Sequence, residues 1–266
     1  MRFVCTYINL KWFPAVFIPL FYLCNPVFGE IQTQSEVLDL VVIYTDQIQK
    51  DPRQAELYVK RGDAYYLLHE YDKAIKDFSN ALIIDDTLDE AYFGRGMAYG
   101  RYGFIDEGIA DLDVFIQRNP ESSLAYTKRG VRYLWKGDYD NAKKDLTKAI
   151  ELEPQNAEAH DDLGVVHAQN REYDKAIMHF STTIKIDPTY QKGYHNLAMA
   201  YYINEQDELA FAAVNAALEL SPEKRDSLML KSQILKALGR ISEAQDLQEE
   251  AELLPEGNWT ESISIK

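Results

Sequence analysis

The sequence predicts an all-α chain of stacked helical hairpins, an α-solenoid, from three periodic observations. Gly62, Gly96, Gly130 and Gly164 recur every 34 residues. Twelve places after each recurring position stands a small residue, in turn Ala74, Gly108, Ala142, Ala176, Ala210 and Ala244, as closely crossing helices require. Pro120, Pro154, Pro188 and Pro222 share one register, where a residue without a backbone N–H cannot continue a helix. Units therefore begin at Ala55, Asp89, Ser123, Ala157, Gln191 and Arg225, with no insertion between them. Each holds two apolar-periodic stretches of about a dozen residues, the period of helices and not of strands.

Taken in order, residues 1–29 differ from the rest. Arg2 and Lys11 precede the apolar run WFPAVFIPLFYLC, followed by NPVFG and Glu30, the layout of a secretory signal peptide cut before Glu30. The run is short for a span of about 20 residues and is broken by Pro14 and Pro19, which disfavours a retained anchor. Lipidation at Cys24, as in a bacterial lipoprotein, is an alternative opposed by the bulky Leu23 before it. Membrane association is thus expected only through an uncleaved or lipidated N-terminus, and the location is exported, periplasmic or secreted. Both cysteines, Cys5 and Cys24, lie in this segment, so the mature chain has no disulfide chemistry.

Residues 30–54 contain SEVLDLVVIYTDQIQKDP, in phase with only the second helix of a unit and with Pro52 at the proline register. This half-repeat is expected to cap the open end. Six units then fill 55–256, the last degenerate, with Ser232 at the glycine position and Pro255 one place early. A tail, 257–266, carries the sequon NWT at Asn258, a glycosylation acceptor if the source is eukaryotic.

With 46% hydrophobic and 27% charged residues among 266, the chain can bury a large core. The net charge of −15 becomes −17 without Arg2 and Lys11, the only charges of residues 1–29. A basic surface for nucleic acid is therefore not expected.

The stretches AYYLLHEYDKAIKDFSNALIID, RYLWKGDYDNAKKDLTKAIELEP and VVHAQNREYDKAIMHFSTTIKIDP resemble tetratricopeptide repeats. The resemblance covers about residues 36–255 and implies a right-handed solenoid whose first helices line a concave, ligand-binding face. Where the family carries an apolar residue, the first three units have Arg61, Arg95 and Arg129, each with an aspartate sixteen places on, Asp77, Asp111 and Asp145. Later units lack both partners, which points to structural salt bridges within each hairpin. Recurring tyrosines, among them Tyr58, Tyr65, Tyr92, Tyr99, Tyr126 and Tyr133, occupy packing positions of the family.

The place after the glycine reads Asp63, Met97, Val131, Val165, Met199 and Gln233. Its four consecutive apolar members, at a place the resemblance implies is exposed, make a stripe. Phe93, Trp135, Ile203 and Met229 neighbour it, with Arg101, Lys128, Asp162 and Asn196 interspersed. An apolar middle with charged edges suits a protein or peptide ligand. The clamp by which some relatives hold acidic C-termini is not matched: its best window gives Thr127, Val131, Asp162, Lys192 and Asn196, and the net charge disfavours an acidic partner. His160, His167 and His179 crowd unit four in places inherited from packing residues, so no metal is expected. The absence of a phosphate loop, an HExxH motif or a nucleophile elbow removes the motif grounds for catalysis. No cofactor is expected. A metal-binding enzyme accessory is the alternative from another class.

Overall fold

A computed structural model describes residues 33–255; the expected signal segment and tail lie outside them. The described residues form thirteen helices and no strand. The first is α1 (Gln34–Lys50); α2 (Ala55–Leu67) and α3 (Tyr71–Ile84), α4 (Asp89–Tyr102) and α5 (Ile105–Arg118), and α6 (Ser123–Lys136) and α7 (Tyr139–Leu152) make three hairpins. Three more are α8 (Ala157–Gln169) with α9 (Tyr173–Ile186), α10 (Gln191–Ile203) with α11 (Asp207–Leu220), and α12 (Arg225–Ala237) with α13 (Ile241–Glu252). Each helix packs on the next in sequence, producing an all-α solenoid.

Local chemistry sets the ends. Thr33 and Glu36 close α1 with a reciprocal capping box, Glu36 N–H donating to Thr33 Oγ1 and Thr33 N–H to Glu36 Oε2. Every hairpin turns on a residue of positive φ: His69, Gly103, Gly137, Arg171, Glu205 and Gly239, again 34 apart. Glycine has no steric penalty there, whereas the other three strain the backbone by about 1–2 kcal/mol.

The recurring glycines mark where the two helices of a hairpin meet. A Cβ on Gly62 would lie 2.9 Å from the Phe78 ring, and one on Gly164 would lie 2.6 Å from Phe180. In the fifth unit the same pair of places holds Ala198 and the smaller Val214, both fully buried. Ser232 of the sixth instead donates to the Ala244 carbonyl oxygen at 2.7 Å.

The three arginines lie beside this core. Arg61 Nε and Nη2 donate to Asp77 at 2.7 and 2.8 Å, Arg95 binds Asp111 with the same two distances, and Arg129 binds Asp145 at 2.7 Å twice. Each guanidinium also lies near a tyrosine ring of its own helix, Tyr58 and Tyr65 for Arg61, Tyr92 and Tyr99 for Arg95, Tyr126 for Arg129. The remaining nitrogen, Nη1, reaches back to the preceding hairpin or cap: Thr45 Oγ1 at 3.1 Å, Ser79 Oγ at 3.2 Å and Asp113 Oδ1 at 2.7 Å. The arginines therefore bond across units as well as within them. Sequence reasoning considered only one aspartate per arginine and missed the acceptor series Thr45, Ser79 and Asp113.

Asp77→Ala strands Arg61 with a single hydroxyl partner and should cost about 3–5 kcal/mol. Asp145→Ala should cost less, because Arg129 keeps Asp113. Asp106→Ala, which removes an exposed pair with Lys136, should cost about 0–1 kcal/mol. Urea titrations of the three variants check this order, and equal midpoints would show the arginine pairs to be energetically idle.

Candidate functional site

The first helices of successive hairpins, α2, α4, α6, α8, α10 and α12, each touch the next in that series, whereas the second helices make no comparably extensive contacts among the described residues. The layer whose members lie closer together is the inside of the curve, so these first helices line the concave face. The residues singled out for a ligand divide on it by burial. Phe93 is half-buried with its ring centroid 5.0 Å from that of Phe115. Met97 and Val131 are each only 5% exposed. The expected open apolar stripe is thus corrected at these two places, which are packed into the wall. Val165 is half-buried, while Met199 and Ile203 are 38% and 47% exposed.

What covers Met97 is a residue the sequence reading passed over. Arg132, on α6 and 2% exposed, sends Nη2 back to the Met97 carbonyl oxygen and Sδ, both at 3.3 Å. Its guanidinium lies 4.5 Å from the Trp135 ring centroid, and Arg101 lies 5.9 Å from the same ring. Nε finds no acceptor and no carboxylate of the described residues pairs with the group. Burial pushes its pKa down to about 10. A desolvated cation–π contact contributes about 2 kcal/mol, less than the several kcal/mol that burying an ion costs.

Further along, the face is ionic. Lys128 Nζ lies 2.6 Å from both carboxylate oxygens of Glu158. Lys192 Nζ lies 2.9 Å from Asp161 and 3.4 Å from Asp162, and Asn196 Nδ2 donates to Asp161 at 2.9 Å. Burial pushes the Asp162 carboxyl up to about 7. Burial alone would lower Lys192, but Asp161 and Asp162 hold it well above its ordinary value. At the other end burial, with Glu90 nearby, raises Asp63 to about 7. The face thus runs from an acidic end through a cationic, aromatic centre to a self-paired cluster. Among the described residues no group of three His, Cys, Asp or Glu is placed to hold a metal.

Profiles described as TPR repeat and tetratricopeptide repeat match residues 62–103 with 130–170, and residues 191–224. The chain is a tetratricopeptide-repeat protein. No curated protein matches it in sequence. Among solved structures, a chain of the APC/C hetero-tetramer Cut9–Hcn1 is similar at 19% identity over 85% of this chain, with a TM-score of 0.72. This chain spans only 45% of that one's length. MamA is 27% identical over 64% of this chain and 93% of its own, with a TM-score of 0.55. YrrB, described as a TPR protein with an unusual peptide-binding site, is 21% identical over 71% of this chain and 97% of its own, also at 0.55.

The fourth TPR hairpin departs from the first three at one spot. The places of the two tyrosines, the arginine and the aspartate hold His160, His167, Leu163 and His179. His160 Nδ1 lies 3.1 Å from His179 Nδ1, so at least one ring must be neutral to accept. His167 stacks on His179 at 5.3 Å and bonds Glu172 through Nδ1. Burial, then the neighbouring His160 and His167, lowers His179 from 6.5 to about 4. A depressed histidine pKa favours the neutral folded form, so its contribution is complete above 6.5 and is lost as pH falls towards 4. Asp63 and Asp162, being raised, act with the opposite sign. The histidine term is therefore isolated by comparing His179→Leu with the parent: their melting temperatures should diverge between pH 6.5 and 4, the parent falling further. Parallel curves would contradict the assignment.

Proposed function

We propose that this protein is an exported, non-catalytic scaffold that captures a protein or peptide segment on its concave face. The observation that carries the reading is the run of side chains along the first helices, Phe93 and Trp135 half-buried, Met199 and Ile203 open to solvent. Aromatic and aliphatic anchors beside fixed charges are what an extended or helical segment needs for affinity and orientation. The fold shared with YrrB, itself described as having a peptide-binding site, supports it. Export rests on the N-terminal sequence, and none of the described helices is long and apolar enough to cross a membrane.

Cys24 favours a second location, a lipid anchor in a bacterial envelope. Lipid labelling that vanishes in Cys24→Ala would establish it, and labelling that persists or never occurs would remove it.

A photo-crosslinking residue at Ile203 should trap partner protein in cells, whereas one at Ile83, on α3 and 81% exposed, should not. Met199→Asp with Ile203→Asp should cut partner capture by about tenfold or more with unchanged circular dichroism. Equal trapping from both positions, or capture that survives the double substitution, would refute a concave site.

A further inference from the structure

We propose that Arg132 anchors one carboxylate of the captured segment, an aspartate or glutamate side chain set among apolar residues. This rests on the concave-face reading above and adds the ligand chemistry. The chain supplies its own control. Arg61, Arg95 and Arg129, with side chains 16%, 20% and 17% exposed, each hold a carboxylate through two nitrogens at 2.7–2.8 Å. Arg132, far more buried, holds none, and its Nε has no acceptor. A guanidinium fork presents paired donors matched to a carboxylate.

The place is also shaped for this residue. At its register the other units have Ala64, Ala98, Val166, Ala200 and Ile234, so Arg132 is the single charged member. At the register of Gly100 the others have Tyr66, Leu134, Ala168, Tyr202 and Lys236, so Gly100 is the single one without a side chain. These two departures touch: a Cβ on Gly100 would lie 2.0 Å from Arg132 Nε. The acidic groups that act on Arg132 from α8, Glu158 and Asp162, are already engaged by Lys128 and Lys192. Trp135 lies over the guanidinium and is only partly buried, so a ligand would reach the guanidinium by displacing this ring. A net charge of −15 repels polyanionic segments, which leaves a single carboxylate inside an apolar stretch.

The test is a bead library of random decapeptides with amidated C-termini, so that only side chains supply carboxylates, screened with the labelled chain. The parent should enrich aspartate or glutamate over asparagine and glutamine beside apolar residues. Arg132→Met should keep the apolar preference and lose the acidic one. Replacing glutamate by glutamine in a resynthesised hit should weaken binding at least about tenfold; this measurement needs no protein variant and stands even if Arg132→Met fails to fold. Apolar enrichment without acidic preference overturns the carboxylate anchor and leaves the concave site standing. Acidic preference that persists in folded Arg132→Met assigns the carboxylate elsewhere and overturns it too. No enrichment of any kind overturns both readings.

Discussion

Close approach of two helices at one crossing point fixes the geometry of every hairpin, and the rest of the molecule follows from it. Where the first helix offers only a hydrogen at Gly62 or Gly164, the second can drive a phenyl ring into the gap. Where alanine replaces glycine, the opposing residue shrinks to Val214. Repeating this contact at a constant interval makes each hairpin present the same side to its neighbour. A stack of identical wedges curves. The curve brings the first helices together on its inside, and that inner layer is where a ligand can touch several units at once.

Charge is handled inside this frame by one rule, that a desolvated guanidinium needs acceptors. Arg61, Arg95 and Arg129 satisfy it twice, with the aspartate of their own hairpin and with an oxygen of the element before. Because the second acceptor lies in a neighbouring unit, the three arginines link the cap α1 and the first three hairpins into one bonded series. Thr45 shows why α1 keeps the phase of the repeat although half a unit is lacking among the described residues: it supplies the acceptor Arg61 would otherwise miss. Arg132 meets it only in part, through the Met97 carbonyl oxygen and sulfur with Nε left over, and it does so on the inner layer of helices.

Much of this was legible in the chain. The glycines, small residues and prolines gave period, hairpins and stacking, because each answers to a backbone or packing requirement that few residue types meet. Salt-bridge partners were legible because arginine and aspartate leave the repeat together. The groove was legible only in part. Register says which side chains point inward, but exposure depends on what neighbouring units place on top of them, and Met97 disappears beneath a residue 35 positions away. Arg132 gave one usable signal, a lone charge at a register otherwise filled by Ala, Val and Ile. Its meaning needed Gly100, which belongs to a different register and touches it only through the stacking.

The histidines of the fourth hairpin stand at a boundary between two ways of holding helices together. Before it the hairpins are tied by buried ions; after it Leu197 and Ala213 fill the corresponding places with hydrocarbon. Ionic ties depend strongly on direction and on both partners being charged, whereas apolar contacts tolerate small changes of angle. Imidazoles share properties of both, packing as flat rings when neutral and repelling when charged. In a solenoid each unit answers only to its neighbours, so a change at this junction acts first on the hairpins on either side of it. The inner face spans that junction, with Arg132 and Trp135 on one side and Met199 and Ile203 on the other. A ligand that touches both halves therefore passes over the first helix of the fourth hairpin, where Asp161 and Asp162 already hold Lys192 of the next.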